Sequence, residues 1–299
     1  MPRSAEQERA LLASMPAVFV LIWSTGFVVA RFGMPHAPPL GFLAWRYALS
    51  LLAFGLWIAI SRAAWPRGRA QWGHLAVAGA LMHAGYLGGV WMAVKAGIGA
   101  GTVALIVGLQ PVLTALWLAA SGSAQAVAAR QWVGLLLGLC GLVLVVGQRL
   151  GGGEVTAGNF SLALFALLAI TSGTLYQKRF VAPCDVRSAN AVQLGAALII
   201  TAPLAWLEAG VWQVHAELVG AMVWSVLVLT LGGSSLLYLL IQRGAATRVA
   251  SLMYLVPPTT ALLAWLLFRE PLTPAVLIGL ALTAVGVALV VREPVRRRP

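Results

Sequence analysis

An all-α membrane protein of ten transmembrane helices, arranged as two inverted five-helix repeats, is the fold class this sequence predicts. Three observations predict it. The composition cannot face water, the apolar stretches are each long enough to cross a bilayer, and the second half repeats the first at an offset near 146 residues. Of 299 residues, 61% are hydrophobic and 9% charged, with a mean hydropathy of +0.90. An ordinary soluble domain carries about 25% charged residues. This chain therefore lacks the polar surface of a soluble enzyme or a nucleic-acid-binding domain. Its net charge of +12 sits in short segments between apolar stretches, which calls for a membrane explanation before a nucleic-acid one. Cys140 in an apolar run and Cys184 in a polar loop give no disulfide framework.

The spans follow from the intervals between charges. These run 10–30, 70–94, 96–129, 131–148, 155–177, 188–207, 218–242, 249–268 and 271–291, and one more near 40–60 is interrupted only by Arg46. A helix needs about 20 apolar residues to cross the hydrocarbon core. Outer-membrane barrels show alternating segments of roughly 10 residues instead. Ten helices leave short loops and tails and no extramembrane domain. The first span is longer than a signal-peptide core and lacks a small-residue cleavage site, so it is expected to be retained. Fifteen Lys and Arg fall on the side of the tails and the even-numbered loops, against Arg31, Lys95, Arg149 and Arg269 on the other. That asymmetry places both termini in the cytoplasm. Trp65, Trp72, Trp206 and Trp212 stand near span ends as an aromatic belt.

The repeat supplies the architecture. Val103-Ala104 matches Val249-Ala250, Leu109 matches Leu255, Pro111 matches Pro257, and Thr114-Ala115-Leu116 matches Thr260-Ala261-Leu262. After a one-residue gap Gly134 and Gly141 match Gly279 and Gly286, and Thr25-Gly26 aligns with Ser172-Gly173. The Gly-rich stretch 149–158 divides the chain into units 1–150 and 151–299. Five spans per unit make the second enter from the opposite side, an inverted repeat of the kind that binds substrate between its halves.

Four segments carry a family likeness: Trp23 to Phe27 in span 1, Trp45-Arg46-Tyr47 in span 2, Pro111 in span 4, and Arg269-Glu270-Pro271-Leu272 before span 10. With the five-plus-five layout, they resemble the EamA family of the drug/metabolite transporter superfamily, over nearly the whole chain. One departure is visible, since the first half has Ser123-Ala124-Gln125 where the second has the acidic loop. The resemblance implies a non-enzymatic, multi-pass inner-membrane exporter of amino acids or related small metabolites, working by alternating access through a central cavity.

None of the eight acids falls well inside a span. Ion-driven carriers commonly use an intramembrane carboxylate, so facilitated transport or exchange is expected here. The absence also argues against intramembrane aspartyl or zinc proteases. No H-E-x-x-H spacing, metal site or cofactor is read.

The candidate substrate-binding residues are the polar and aromatic side chains within spans. Arg46 stands inside span 2, where a charge at the bilayer centre costs about 2.5–3.5 kcal/mol. It either snorkels to the outer headgroups, bonds a neighbouring helix, or meets a substrate carboxylate. His83 lies mid-span with Tyr86 three residues on, facing a wet cavity or satisfied in packing. Trp224, Ser235, Tyr238 and Gln242 form a stripe at 3.6 periodicity on span 8, and Thr247, Ser251, Tyr254 and Pro258 another on span 9. Span 1 adds Trp23 and Ser24, and span 6 adds Thr171, Ser172 and Tyr176. Small hydroxylated residues also glue membrane helices together. Aromatic walls with a few hydroxyls suit a small amphipathic solute. Pro111 and Pro257-Pro258 break spans 4 and 9, either for packing alone or to turn Gln110 and Thr114 toward solute. A multidrug or nucleotide-sugar carrier is the rival within transport, although a nucleotide would want more cavity cations than Arg46. A membrane enzyme or scaffold is the rival from another class. With both halves in one chain, a monomer suffices in the bilayer, with a small-molecule substrate as partner and no nucleic acid.

Overall fold

The computed structural model describes residues 5–120, 129–151, 153–233, 236 and 255–291. Among them there is no strand. The helices are α1 (Ala5–Gly33), α2 (Pro39–Ser61), α3 (Arg69–Gly79), α4 (Tyr86–Lys95), α5 (Ala100–Val107), α6 (Gln110–Ala120), α7 (Ala129–Gly151), α8 (Ala157–Phe180), α9 (Val186–Leu207), α10 (Ala216–Val223), α11 (Val256–Phe268) and α12 (Pro274–Val291). Two π-helical segments, π1 (Ala80–Gly85) and π2 (Trp224–Gly233), continue α3 into α4 and extend α10. Among the described residues, seven helical rods are long and apolar enough to cross a membrane. Ala17–Gly33, Val256–Phe268 and Pro274–Leu289 are shorter apolar helices. The outer faces carry exposed Leu52, Leu56, Ile60, Val143 and Ile199, an apolar surface that lipid rather than water would cover.

Helix ends follow local chemistry. Thr156 and Asn159 form a reciprocal capping box at the start of α8. Asp185 caps α9, and the Arg187 guanidinium, donating to it at 2.9 and 2.6 Å, holds its carboxyl below the usual range. Thr273 accepts from the Val276 N–H at 3.3 Å, with Pro274 opening α12.

The described loops sort to two ends of the bundle. At one end Lys95 Nζ donates to the Met34 carbonyl at 2.6 Å, the Leu40 and Gly41 N–H groups donate to Glu208, and Arg149 reaches the Pro271 carbonyl. At the other, Gln71 exchanges hydrogen bonds with Ala182, and Ser188 donates to the Ala64 carbonyl. A chain that crosses the bundle with every rod produces this sorting.

Neighbours come in matched sets. α1 packs on π2 and α11, as α8 packs on π1, α5 and α6. α2 packs on π2 as α9 packs on π1, while α2 meets α9, α5 meets α11 and α7 meets α12. The last pair meets backbone to backbone. A Cβ on Gly141 would stand 2.5 Å from the Gly279 carbonyl oxygen, and one on Gly286 would stand 2.5 Å from that of Gly134. The two Gly-Gly matches of the repeat thus touch crosswise, first of one helix to last of the other. That crosswise order is the contact of two antiparallel helices packed at small residues.

Candidate functional site

Two adjacent residues of α2 link the two π-segments. Tyr47, fully buried, donates its hydroxyl to the His83 carbonyl in π1 at 2.9 Å. Arg46 donates Nε and Nη2 to Thr230 Oγ1 in π2 at 3.4 and 3.3 Å. Thr230 in turn donates to the Ser225 carbonyl, five residues earlier, at 2.8 Å. The i→i+5 geometry of a π-turn makes the partner five residues back reachable, and such turns gather at functional sites. Shifted by the repeat offset, π1 falls inside π2, so the widened turns occupy corresponding places in the two halves.

Arg46 is 8% exposed and engages a neighbouring helix, so it does not snorkel to headgroups. It lies close enough to His83 and Tyr86 to act on both electrostatically, which brings three of the expected site residues together. His83 is half-buried, edge-on to Tyr47 at 6.2 Å between ring centroids, and lies near Gln193, whose amide donates to Gln177 at 3.2 Å. Tyr47, Thr230, Gln193 and Gln177 were not singled out from sequence as site residues. Their signal is a polar side chain within a span, shared with many packing residues.

The remaining expected residues take interhelical or local bonds. Ser24 donates to the Val256 carbonyl at 3.4 Å while Thr260 donates to the Ser24 carbonyl at 3.3 Å, tying α1 to α11. Trp23 packs on Phe19 with centroids 5.3 Å apart. Trp224 is exposed and donates to Thr25 at 2.9 Å. Gln110 donates to Thr174 at 2.9 Å, and Thr114 to the Gln110 carbonyl at 2.8 Å, just after the chain interrupts its helix at Gly108 and Leu109. Thr171 is buried and bonds the Leu167 carbonyl of its own helix at 2.7 Å. π2 also ends the 3.6 register on which the stripe from Trp224 was drawn. Ser235, Tyr238, Gln242, Thr247, Ser251 and Tyr254 lie outside the described residues.

A second polar group closes one end of the bundle. Glu154 accepts from the Gly99 N–H at 2.9 Å and Glu270 from the Ala100 N–H at 3.0 Å, so two carboxylates cap the start of α5. Arg149 pairs with Glu154. The second Glu270 oxygen is buried without a partner, beside a cavity of about 10 Å³, room for one water. Among the described residues, the one set of side chains that could hold a metal is His36, His215 and Glu217, with ligand atoms within 4.8 Å. The His36 and His215 rings stack at 15°, and His215 already accepts the Glu217 N–H, so the lone pairs lie in near-parallel planes instead of converging.

Apolar rods around a buried polar centre, linked at two opposed π-segments, define a multi-span membrane transporter. The family comparison agrees: the model of the EamA-like transporter family matches residues 11–147 and again 159–292, and the chain belongs to that family. It is 27% identical over 286 residues to the uncharacterized transporter YvbV of Bacillus subtilis (strain 168), covering 93% of this chain and 90% of that one. A probable amino-acid metabolite efflux pump of Salmonella typhimurium is 25% identical over 277 residues, 89% of this chain and 90% of the pump. A solved crystal structure superposes with a TM-score of 0.64 at 19% identity, over 94% of this chain and 97% of that one, which is a likeness of fold.

Proposed function

We propose that the protein is an inner-membrane exporter of amino acids or related small metabolites, acting as a monomer by alternating access. Its ten spans form two inverted units, 1–150 and 151–299, with both termini cytoplasmic. The observation that carries this reading is the bridge from α2 to both π-segments. A substrate held among Arg46, His83, Tyr86 and Thr230 touches helices from both halves at once, so binding and the relative tilt of the halves are coupled. Trp23, Ser24, Gln110, Thr171 and Trp224 extend the wall, with Ser235, Tyr238 and Tyr254 proposed from sequence. The Salmonella relative's description as an amino-acid metabolite efflux pump supports the substrate class. The test is purified full-length protein in liposomes, loaded with a labelled amino-acid and 2-oxo-acid panel. Protein-dependent efflux of at least one such solute is expected. Efflux of none, from vesicles holding folded protein, would overturn the reading.

A further inference from the structure

We propose that Arg46 and Thr230, with the hydroxyls of Ser50 and Ser225, form a carboxylate-recognition site, and that the substrate is a small monocarboxylate whose amino group is not read by charge. This rests on the export reading and narrows it to a ligand class.

The argument begins with an uncompensated charge. A guanidinium carries five N–H donors and cannot lose its proton in a protein. Arg46 is 8% exposed, and two of its nitrogens share one long acceptor, Thr230 Oγ1, at 3.4 and 3.3 Å. Its Nη1 makes no bond among the described residues. Because the Thr230 proton is directed to the Ser225 carbonyl, the hydroxyl oxygen presents lone pairs to the guanidinium. It orients the cation without neutralising it.

No protein anion completes the pair. The eight acids of the whole sequence lie in tails, loops and span ends, and none falls well inside a span. Buried charges are otherwise paired, so the counter-ion comes from the ligand. A planar carboxylate matches the guanidinium fork. A nucleotide or phosphate would bring two or more negative charges to one cation.

Two further hydroxyls are buried and open to an acceptor. Ser50 Oγ and Ser225 Oγ are buried without hydrogen-bond partners. Ser50 stands one turn beyond Arg46 on α2, and Ser225 one π-turn before Thr230. Buried hydroxyls in native proteins are nearly always paired, so each is a donor awaiting an acceptor. With no carboxylate at mid-span, an ammonium meets neutral acceptors only. An amino acid and its 2-oxo acid are then handled alike, while the uncharged carboxamide end of an amino-acid amide is refused.

Matched sets built on alanine, leucine and phenylalanine, each as amino acid, 2-oxo acid and amino-acid amide, test this by counterflow into liposomes holding the full-length protein. The expected result is an acid-over-amide preference of tenfold or more in kcat/KM for the transported set. Arg46→Gln should bring that ratio close to one, and Arg46→Lys should keep part of it. Amides moving as well as acids, or a preference unchanged in Arg46→Gln, overturns the site and leaves the export reading standing. If Arg46→Gln is not recovered folded, Thr230→Val decides: a ratio lowered at least threefold supports the site, and an unchanged ratio overturns it. Movement of no member of any set removes the export reading, and the carboxylate site with it.

Discussion

Arg46 and Tyr47 are neighbours on one helix, and consecutive side chains on a helix diverge by about 100°. That angle lets one reach π2 and the other π1. Tyr47 is fully buried, and its hydroxyl is the donor to a carbonyl in a widened turn. Tyr47→Phe keeps the ring and removes the proton. It should lower stability by about 1 kcal/mol, the net worth of one buried hydrogen bond. Because the lost bond holds π1, counterflow should fall several-fold more than that modest loss accounts for. Thermal unfolding in detergent, paired with initial counterflow rates, checks both, and a variant less stable but equally fast would reduce Tyr47 to a packing role. Legibility at this scale follows charge. Arg46 and His83 announced themselves because an ionisable group inside a span is costly. Thr230 and Gln193 did not, because hydroxyls and amides also serve helix packing. A side chain's direction is absent from sequence, so nothing told Ser24, bonded to α11, from Thr171, bonded to its own helix.

At the scale of elements, rods were legible wherever charges bound them, and the turns within rods were not. α2, α7, α8 and α9 end within a few residues of the charges that delimited their spans. The π-segments leave no compositional trace, since Ala80–Gly85 and Trp224–Gly233 are as apolar as the α-helix around them. Over Trp224–Gly233 the turn is wider than the 3.6 residues at which the stripe from Trp224 is spaced, and the rest of that stripe lies outside the described residues. The glycine matches were legible as a pattern, but their meaning needed the packing of α7 on α12. A methyl on Gly141 would enter the backbone of α12, whereas one on Gly147 meets nothing within 4 Å. Gly141→Ala should therefore destabilise by about 1–3 kcal/mol through overpacking. Gly147→Ala on the same helix should be neutral or stabilising by up to about 1 kcal/mol through helix propensity. Thermal unfolding of the two variants in one detergent makes the comparison, and equal stabilities would mean that α7 and α12 do not meet at these glycines.

For the whole molecule, the distribution of charge limits how transport can be driven. Proton- and sodium-coupled carriers need a group within the membrane that takes the ion in one orientation and releases it in the other. No acid falls well inside a span, and Arg46 cannot deprotonate. Glu154 and Glu270 both cap the start of α5, at the end of the bundle and away from mid-span. We therefore expect facilitated diffusion and exchange. Substrate should run down its own gradient in liposomes with no imposed proton or sodium gradient. Exchange should outpace net flux, because the empty carrier must rearrange around an unpaired guanidinium while the loaded carrier does not. Collapsing a pH gradient should leave the initial uptake of a net-neutral substrate nearly unchanged. The contrary outcome has a definite place in the structure, the half-buried imidazole of His83 between Tyr47 and Gln193. An imidazole is the side chain whose ordinary titration falls near neutrality. Accumulation above equilibrium with a pH step as the only gradient, abolished by His83→Ala in protein that still exchanges substrate, would establish proton coupling through that ring and refute the facilitative reading.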